Sequence, residues 1–510
     1  MLTTLSIAET DFALAKPARA WSPDSAATSL PSPARPVGML GVAFDNVTKA
    51  EAVSRIEEMI ATRRPHHVVT ANVDFLVQAQ RDVELRRILL EADLVLCDGT
   101  PLVWASRLLG NALPERAAGA DVVPLLIRAA AEKGHRIFFL GAGPNVAAEA
   151  AERLRRQHPG LIIAGHFSPP FCDLLQMDFA EVARQVAEAR PDILLVSFGC
   201  PKQEKWIAMH YHLLGVPVVM GVGATLDFIA GRVARAPVLM QRSGTEWIYR
   251  LAQEPRRLLR RYANDLLRFL PALALQWWTL RPRGRSPGQA DAITSVRTPE
   301  WQQIRVTGDF SAATLDRDRG SFDEALQTLH HCQLDLSGVR QMDSTGTAVL
   351  VHWRKRLHAH GRRLMLLNPS TGVRRTLKLM RLTRHFWIVA REAEVPSHGG
   401  ALQTTQPVLP PYPGGHTVAW RGEVTASNST AIWGLTLEHF ASVGPPPRQT
   451  FIIDLSRVRF IDSSGAEMMG RLRAWARHLK KDLRFLGLRP DVCNVLRMAK
   501  LADLLQAPLQ

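Results

Sequence analysis

The sequence predicts an α/β protein: one large, mostly parallel sheet covered by helices, followed by two copies of a smaller α/β unit. Three observations predict it. Over about residues 37–280, runs that are apolar throughout alternate with stretches of helical periodicity, the pattern of strands buried on both faces. DLSGVRQMDSTG (335–346) lines up with DLSRVRFIDSSG (454–465), 119 residues further on. Two stretches rich in Pro, Gly and small polar residues, 281–299 and 396–416, divide the 510-residue chain into three pieces, in keeping with about 150 residues per domain.

Taken in order, residues 1–36 carry acids early, lack a basic start followed by an apolar run, and end in PSPARP. They are expected to be a flexible leader rather than a secretory signal. Within 37–230, the segments HHVVTANVDFL, ADLVLCDG, RIFFLGAG, LIIAGHF, PDILLVSFG and VPVVMGVG are expected to be strands or strand ends. NVAAEAAERLRRQ and FAEVARQVAEAR carry helical periodicity between them. Residues 231–280 form an Arg-rich helical appendage; from 231 to 285 there are twelve Arg, no Lys and three acids. Its most apolar part, FLPALALQWWTL (269–280), is too short to cross a bilayer, which takes about 20 residues. After the linker 281–299 come the first repeat (300–395), the linker 396–416 and the second repeat (417–510). Each copy reads strand, D-S-S/T-G turn, helix, strand, helix, although the first copy offers only WQQIRVTG as an opening strand. A period this long means a duplicated domain, not a solenoid of 20–50-residue repeats.

Hydrophobic residues make up 46% of the chain and charged residues 22%. That composition excludes a disordered chain, a coiled coil and a disulfide scaffold. The five Cys (97, 172, 200, 332 and 493) are far apart and form no C-x-x-C, which argues against a zinc ribbon or redox dithiol and fits a reducing cytoplasm. No His spacing suggests a metal site: His66 and His67 flank a strand start, and His210 and His212 lie on an amphipathic helix. The net charge is +16, from 63 Lys and Arg against 47 Asp and Glu. The Arg-rich stretch suits phosphate oxygens or an anionic membrane surface, with Trp277 and Trp278 at the interface. Nucleic acid is the competing partner for such charge, but no recognised binding motif or aromatic platform supports it.

Parallel helix-covered sheets bind ligands beyond the carboxyl ends of their strands. That points to Thr70, Asn72, Asp98, Gly141, Gly143 and Gln203. FFLGAGPN sets a G-x-G turn between strand and helix, where helix-end amides favour phosphate. It is equally a plain tight turn, because Val146 replaces the third Gly of G-x-G-x-x-G. Asp98 in LVLCDGTP can be a general base facing a cleft or half of an Asp-Gly turn. In SFGCPKQEKWI, Pro201 and Glu204 suit a first helical turn, whereas Lys202 and Gln203 have no such explanation.

Residues 38–265 resemble the WecG/TagA/CpsF family of bacterial glycosyltransferases. The resemblance is carried by VVTANVDFL, ADLVLCDGTPLVW, ERAAGADVVPLL, FFLGAGPN, PDILLVSFGCPKQEKWI and GVGATLDFIAGRVARAPVLMQRSGTEWIYRLAQEPRRLLRR, in that order. GHFSPPF departs from the more His- and Gly-rich turn of the family. The resemblance implies a Rossmann-like core that moves a sugar (N-acetylmannosamine, its uronic acid or a related hexose) from a UDP-sugar to a polyprenyl-diphosphate-linked glycan. The transfer would be inverting, at the inner face of the cytoplasmic membrane, in exopolysaccharide or other surface-glycan synthesis. It implies Asp98 as the base, substrate contacts at Thr70, Asn72 and Gln203, and appendage arginines at Arg250, Arg257 and Arg260. The first domain has no D-x-D; the single one, Asp316 to Asp318, lies in the repeat region. Positioned arginines would then stabilise the departing diphosphate, with no metal and no cofactor.

Each repeat resembles a STAS domain, as found in anti-sigma-factor antagonists. The resemblance implies a protein-docking or regulatory module, with Ser344 and Ser463 at the positions that are phosphorylated in regulatory members and a kinase as partner. Asp and Ser before a helix are equally good N-caps. A second class of function therefore stands beside the enzyme: a STAS-based regulator whose transferase domain is degenerate. The joint presence of Thr70, Asn72, Asp98 and Gln203 weighs against degeneracy.

Overall fold

The computed structural model describes residues 35–280, 292–297, 301–317, 330–389, 417–426, 428–443, 450–501 and 504. The leader 1–36, apart from Arg35 and Pro36, and the linker 396–416 lie outside them.

The first domain opens with a two-stranded hairpin, β1 (Val37–Met39) and β2 (Val42–Phe44). Six parallel strands follow: β3 (His66–Ala71), β4 (Leu94–Cys97), β5 (Arg136–Gly141), β6 (Ile162–Phe167), β7 (Ile193–Ser197) and β8 (Val218–Gly221). Their order across the sheet is β4-β3-β8-β7-β5-β6. The helices are α1 (Lys49–Thr62), α2 (Val73–Ala79), α3 (Val83–Glu91), α4 (Thr100–Leu108), α5 (Gly119–Lys133), α6 (Val146–Gln157), α7 (Phe179–Ala189), α8 (Lys202–Leu214) and α9 (Thr225–Ala230). The appendage is α10 (Val238–Ser243), α11 (Glu246–Gln253) and α12 (Pro255–Leu280).

The apolar strands are buried on both faces because alternate residues feed different cores. Val68, Leu94, Leu96, Ile137, Phe139, Ile193 and Leu195 pack against α1, α5 and α6. Val69, Val95 and Cys97 face α2, α3 and α4, while Phe138, Leu140, Leu194 and Val196 face α7 and α8. Every strand but β6 is wholly or almost wholly buried, so the helices cover both faces. In the appendage, Leu258, Phe269 and Leu273 of α12 point inward. Buried Gln276 accepts from Leu40 N and donates to Gly38 O, both at 2.9 Å, tying α12 to the hairpin.

The first repeat has β9 (Ala292–Arg297), β10 (Trp301–Phe310), α13 (Ala312–Arg317), β11 (His331–Met342), α14 (Ser344–Ala359), β12 (Leu364–Leu367), α15 (Thr371–Leu379) and β13 (Trp387–Val389). Their sheet order is β13-β12-β11-β10-β9. β9 falls inside the stretch read from the sequence as a linker. Its AITSVR supplies β-branched residues, and it pairs antiparallel with β10. The second repeat has β14 (Thr417–Val424), α16 (Ser429–Val443), β15 (Thr450–Ile461), α17 (Ser463–His478), β16 (Asp482–Leu486) and α18 (Pro490–Met498), with sheet order β14-β15-β16. The duplication extends to irregularities. β10 and β14 each slip register twice, around Gly308 and Gly422, and both glycines have φ near +85° (89° and 84°), a conformation that strongly favours Gly.

Asp343 and Asp462 are the N-caps of α14 and α17. Each accepts from the Gly three residues on, at 2.8 and 2.9 Å, and each second oxygen accepts from the end of the preceding strand–helix turn, Ala312 N or Ala426 N. The Asp of the repeated turn is thus the cap, and Ser344 and Ser463 are the first helical residues.

Candidate functional site

The polar residues read from the sequence converge at the carboxyl ends of the parallel strands. Thr70, the penultimate residue of β3, is buried and donates to Gly221 O of β8 at 3.1 Å. Asn72 caps α2 by accepting from Phe75 N at 3.3 Å. Asp98 follows β4, and its N–H donates to Ala71 O at 2.9 Å. A Cβ placed on Gly99 would lie 3.9 Å from Asn72 Cβ, so the ends of β3 and β4 bring Asn72 and the Asp98 turn together.

Around Asp98 stands a set of charges of which sequence reasoning singled out only Arg250. Arg116 lies 2.8 Å from Asp121 and 2.7 Å from Glu246. Arg235 pairs with Asp121 and approaches Glu246 at 3.8 Å. Arg250 reaches Glu246 at 3.5 Å and stacks over the Phe228 ring at 4.7 Å. Arg116 and Asp121 sit in the ERAAGAD block, Glu246 in TEWIYR; their signal was charge inside otherwise apolar blocks. Burial pushes the Asp98 carboxyl up to about 6, opposed by the pull of Arg250 and Arg116 and assisted by Asp121 and Glu246. A carboxyl so placed exchanges a proton near neutral pH, as a general base must.

The β5–α6 turn carries Gly141 and Gly143. Gly141 has φ +95°, and a Cβ there would fall 2.6 Å from Ser197 O and 2.7 Å from the Phe198 ring. Only Gly lets β5 and β7 close at this height. A Cβ on Gly143 meets only Val146 at 3.4 Å.

Gln203 is buried in the first turn of α8. Its Oε1 accepts from Gly199 N (3.1 Å) and Gly223 N (3.2 Å), and its Nε2 donates to Glu204 Oε1 at 2.7 Å. The amide therefore ties the loops after β7 and β8 together. Burial pushes the Glu204 carboxyl up to about 7, and its Oε2 has no hydrogen-bond partner. Lys202 Nζ donates to Cys172 O at 2.6 Å and lies 5.5 Å from the Phe171 and Phe198 rings, so it holds the loop after β6.

Of the appendage arginines, Arg250 is brought into the Asp98 charge cluster. Arg260 is exposed, and the side chain of Arg257 lies outside the described residues. Arg261, not singled out from the sequence, lies 2.7 Å from Asp74 on α2, next to Asn72. Among the described residues no group of three or more His, Cys, Asp or Glu could hold a metal ion.

Residues 37–283 match the family described as glycosyl transferase WecG/TagA/CpsF. The N-acetylglucosaminyldiphosphoundecaprenol N-acetyl-beta-D-mannosaminyltransferase of Bacillus spizizenii (strain W23) is 35% identical over 224 residues, covering 43% of this chain and 85% of that protein. The chain belongs to the WecG/TagA/CpsF glycosyltransferase family. The enzyme of the same name from Staphylococcus aureus (strain MW2) is 30% identical over 224 residues, covering 44% of this chain and 86% of its own length. Residues 293–390 and 414–506 each match the Mlab, STAS domain family. The solved anti-sigma factor antagonist SpoIIAA, in its unphosphorylated form, is 24% identical over 20% of this chain and 92% of that one, with a TM-score of 0.18. The protein is thus a glycosyltransferase carrying two C-terminal STAS domains.

Proposed function

We propose that the chain moves N-acetylmannosamine, or a close relative of it, from a UDP-sugar to an N-acetylglucosamine carried on a polyprenyl diphosphate. The observation that carries the reading is Asp98, held at the strand ends with a raised pKa beside Arg116 and Arg250. The names of the relatives supply the sugar and the lipid-linked acceptor. In this reading Asp98 takes the proton of the acceptor hydroxyl as its oxygen attacks the anomeric carbon. The bond from that carbon to the diphosphate breaks on the opposite face, UDP leaves with the electron pair, and configuration inverts. Arg250, drawn partly from Glu246, stabilises the charge that develops on the diphosphate. Thr70, Asn72 and the Gln203-tied loops shape the walls, Gly141 lets the β5–α6 turn close on β7, and the more open Gly143 lets the nucleotide approach.

A lipid-linked acceptor requires a membrane surface. No helix among the described residues is long and apolar enough to cross one. The appendage instead presents Leu259, Leu266, Leu267, Leu270, Leu275 and Trp278 to the outside, with Arg256 and Arg260 also exposed. Apolar and basic groups together suit the surface of an anionic bilayer. The STAS domains serve as docking or regulatory modules. Phosphorylation of Ser344 or Ser463 would require each to be uncovered first, since both are buried.

The test is UDP release from a panel of UDP-sugars, with and without a polyprenyl-diphosphate-linked acceptor, for wild type and Asp98→Asn. Acceptor-dependent release that the variant loses supports the reading and names the donor. A folded wild type silent with every donor defeats it and favours the regulatory alternative.

A further inference from the structure

The two STAS repeats turn the same feature, the start of the helix after the D-S-S/T-G turn, onto the transferase domain, but at different places. In the first repeat, Ser344 and Thr345 are buried against the hairpin and the end of α4: Ser344 O abuts Gly38, and Asn111 Nδ2 donates to Thr345 Oγ1 at 3.0 Å. In the second, the N–H and the hydroxyl of Ser463 both donate to the carboxylate of Glu84 on α3, at 2.6 and 2.8 Å. Glu84 is buried. Its Oε2 also lies 2.9 Å from Lys205 Nζ, which reaches Asp82 at 2.8 Å.

Lys205 is shared between the two carboxylates; Arg86 also bears on Asp82, whereas the Asp462 carboxyl bears on Glu84, so the negative charge of Glu84 is only partly answered within the transferase domain. The amino end of α17 and its two donors answer that charge. Lys205 directly follows Gln203 and Glu204, in the turn of α8 that ties the Gly199 and Gly223 loops. The second repeat makes another contact near the site: Lys500 Nζ bridges both oxygens of Asp173 at 2.8 and 2.7 Å. Asp173 adjoins Cys172, whose carbonyl Lys202 holds. The hydrogen bonds described between the first repeat and the transferase domain, to Asn111 after α4, Ala92 after α3 and Gln80 after α2, reach neither α8 nor this loop.

We propose that the second STAS repeat is a clip on the rim of the transferase site. Ser463 pins Glu84, and through it Lys205 and the first turn of α8; Lys500 pins the loop after β6. Docked, the clip orders the loops that Gln203 and Lys202 hold; undocked, those loops loosen. Glu84, Lys205 and Ser463 are positioning residues. The activity arm of the test rests on the transferase reading above; the structural arm does not.

The test uses the full chain as wild type, Ser463→Asp and Ser463→Thr. Aspartate at the first turn of α17 suits the helix itself but sets a further carboxylate against Glu84, beside Asp462; threonine keeps the hydroxyl. Hydrogen exchange is followed in peptides covering 168–177, 199–206 and 463–466, alongside kcat and KM for the donor. In Ser463→Asp, exchange should quicken in all three segments and the donor KM should rise about tenfold with kcat nearly kept, the scale of one lost charge-assisted contact. Ser463→Thr should restore wild-type behaviour. Quickening confined to 463–466 with an unchanged KM overturns the clip, as does unchanged exchange everywhere in Ser463→Asp. A wild type without transfer defeats the transferase reading alone, and the exchange pattern at 168–177 and 199–206 still decides the clip.

Discussion

Acidification should switch the transferase off along a limb set by Asp98. Its carboxyl stands at about 6, raised by burial and restrained by Arg250 and Arg116. The sign follows from the role: a base must be ionised, so rate is kept above that pKa and lost below it. With a pKa of about 6, only about one tenth of the sites are ionised at pH 5, so kcat/KM should fall about tenfold from its plateau and keep falling about tenfold per pH unit below that. Removing the leading favourable charge, as in Arg250→Met, should move the limb to higher pH. Asp98→Asn should lose about 100-fold or more at pH 8, the usual worth of a general base, and show no limb near pH 6. The assay is acceptor-dependent UDP release from pH 4.5 to 8.5. Glu204 titrates nearby, at about 7, and Glu204→Gln separates the two, since it should keep the limb at about 6. A wild-type profile flat to pH 5, or an Asp98→Asn enzyme with rate and limb intact, would refute Asp98 as the base.

Three further outcomes are expected. Glu204 is raised in the fold from its ordinary 4.5 to about 7 by burial, so its contribution is present at low pH and lost as pH rises through that window. Urea unfolding of Glu204→Gln should show a stability–pH slope flatter than wild type by about 3 kcal/mol between pH 4.5 and 8. Arg116→Ala leaves Asp121 and Glu246 short of a partner in a mostly buried cluster and should cost about 3 kcal/mol in urea unfolding. Replacing exposed Leu266 and Leu267 of α12 by Glu should lower co-sedimentation with anionic lipid vesicles while leaving the melting temperature within a few degrees, because neither side chain packs in the core.

The alternation of apolar runs and helical periodicity was enough to read six strands in order, because five of them are buried almost throughout and β6 still opens on an apolar run. The repeat was legible for a related reason: Asp343 and Asp462 must cap a helix in the same way, so the D-S-S/T-G turn recurs intact. β9 was missed because six residues beside a Pro- and Gly-rich stretch have no partner in the local pattern; β10 supplies it. The site divides along the same line. Polar residues at strand ends stand out against apolar neighbours, so Thr70, Asn72, Asp98 and Gln203 could be named from the sequence, and the structure places them at the carboxyl ends of the strands. Arg116, Asp121, Glu246 and Arg261 were not named, since each owes its place to a partner up to 187 residues away in the chain.

The sequence by itself determined the parallel core, the duplicated STAS unit, the family resemblance and the residues at the strand ends, because all of these are written in local periodicity and short motifs. The tertiary structure alone decided which arginines gather around Asp98, that Gln203 ties two loops, and that Ser463 meets Glu84 across 379 residues of sequence. Those are pairings of charge and hydrogen bond between distant segments, and their energy depends on burial and distance, which exist only once the chain has folded.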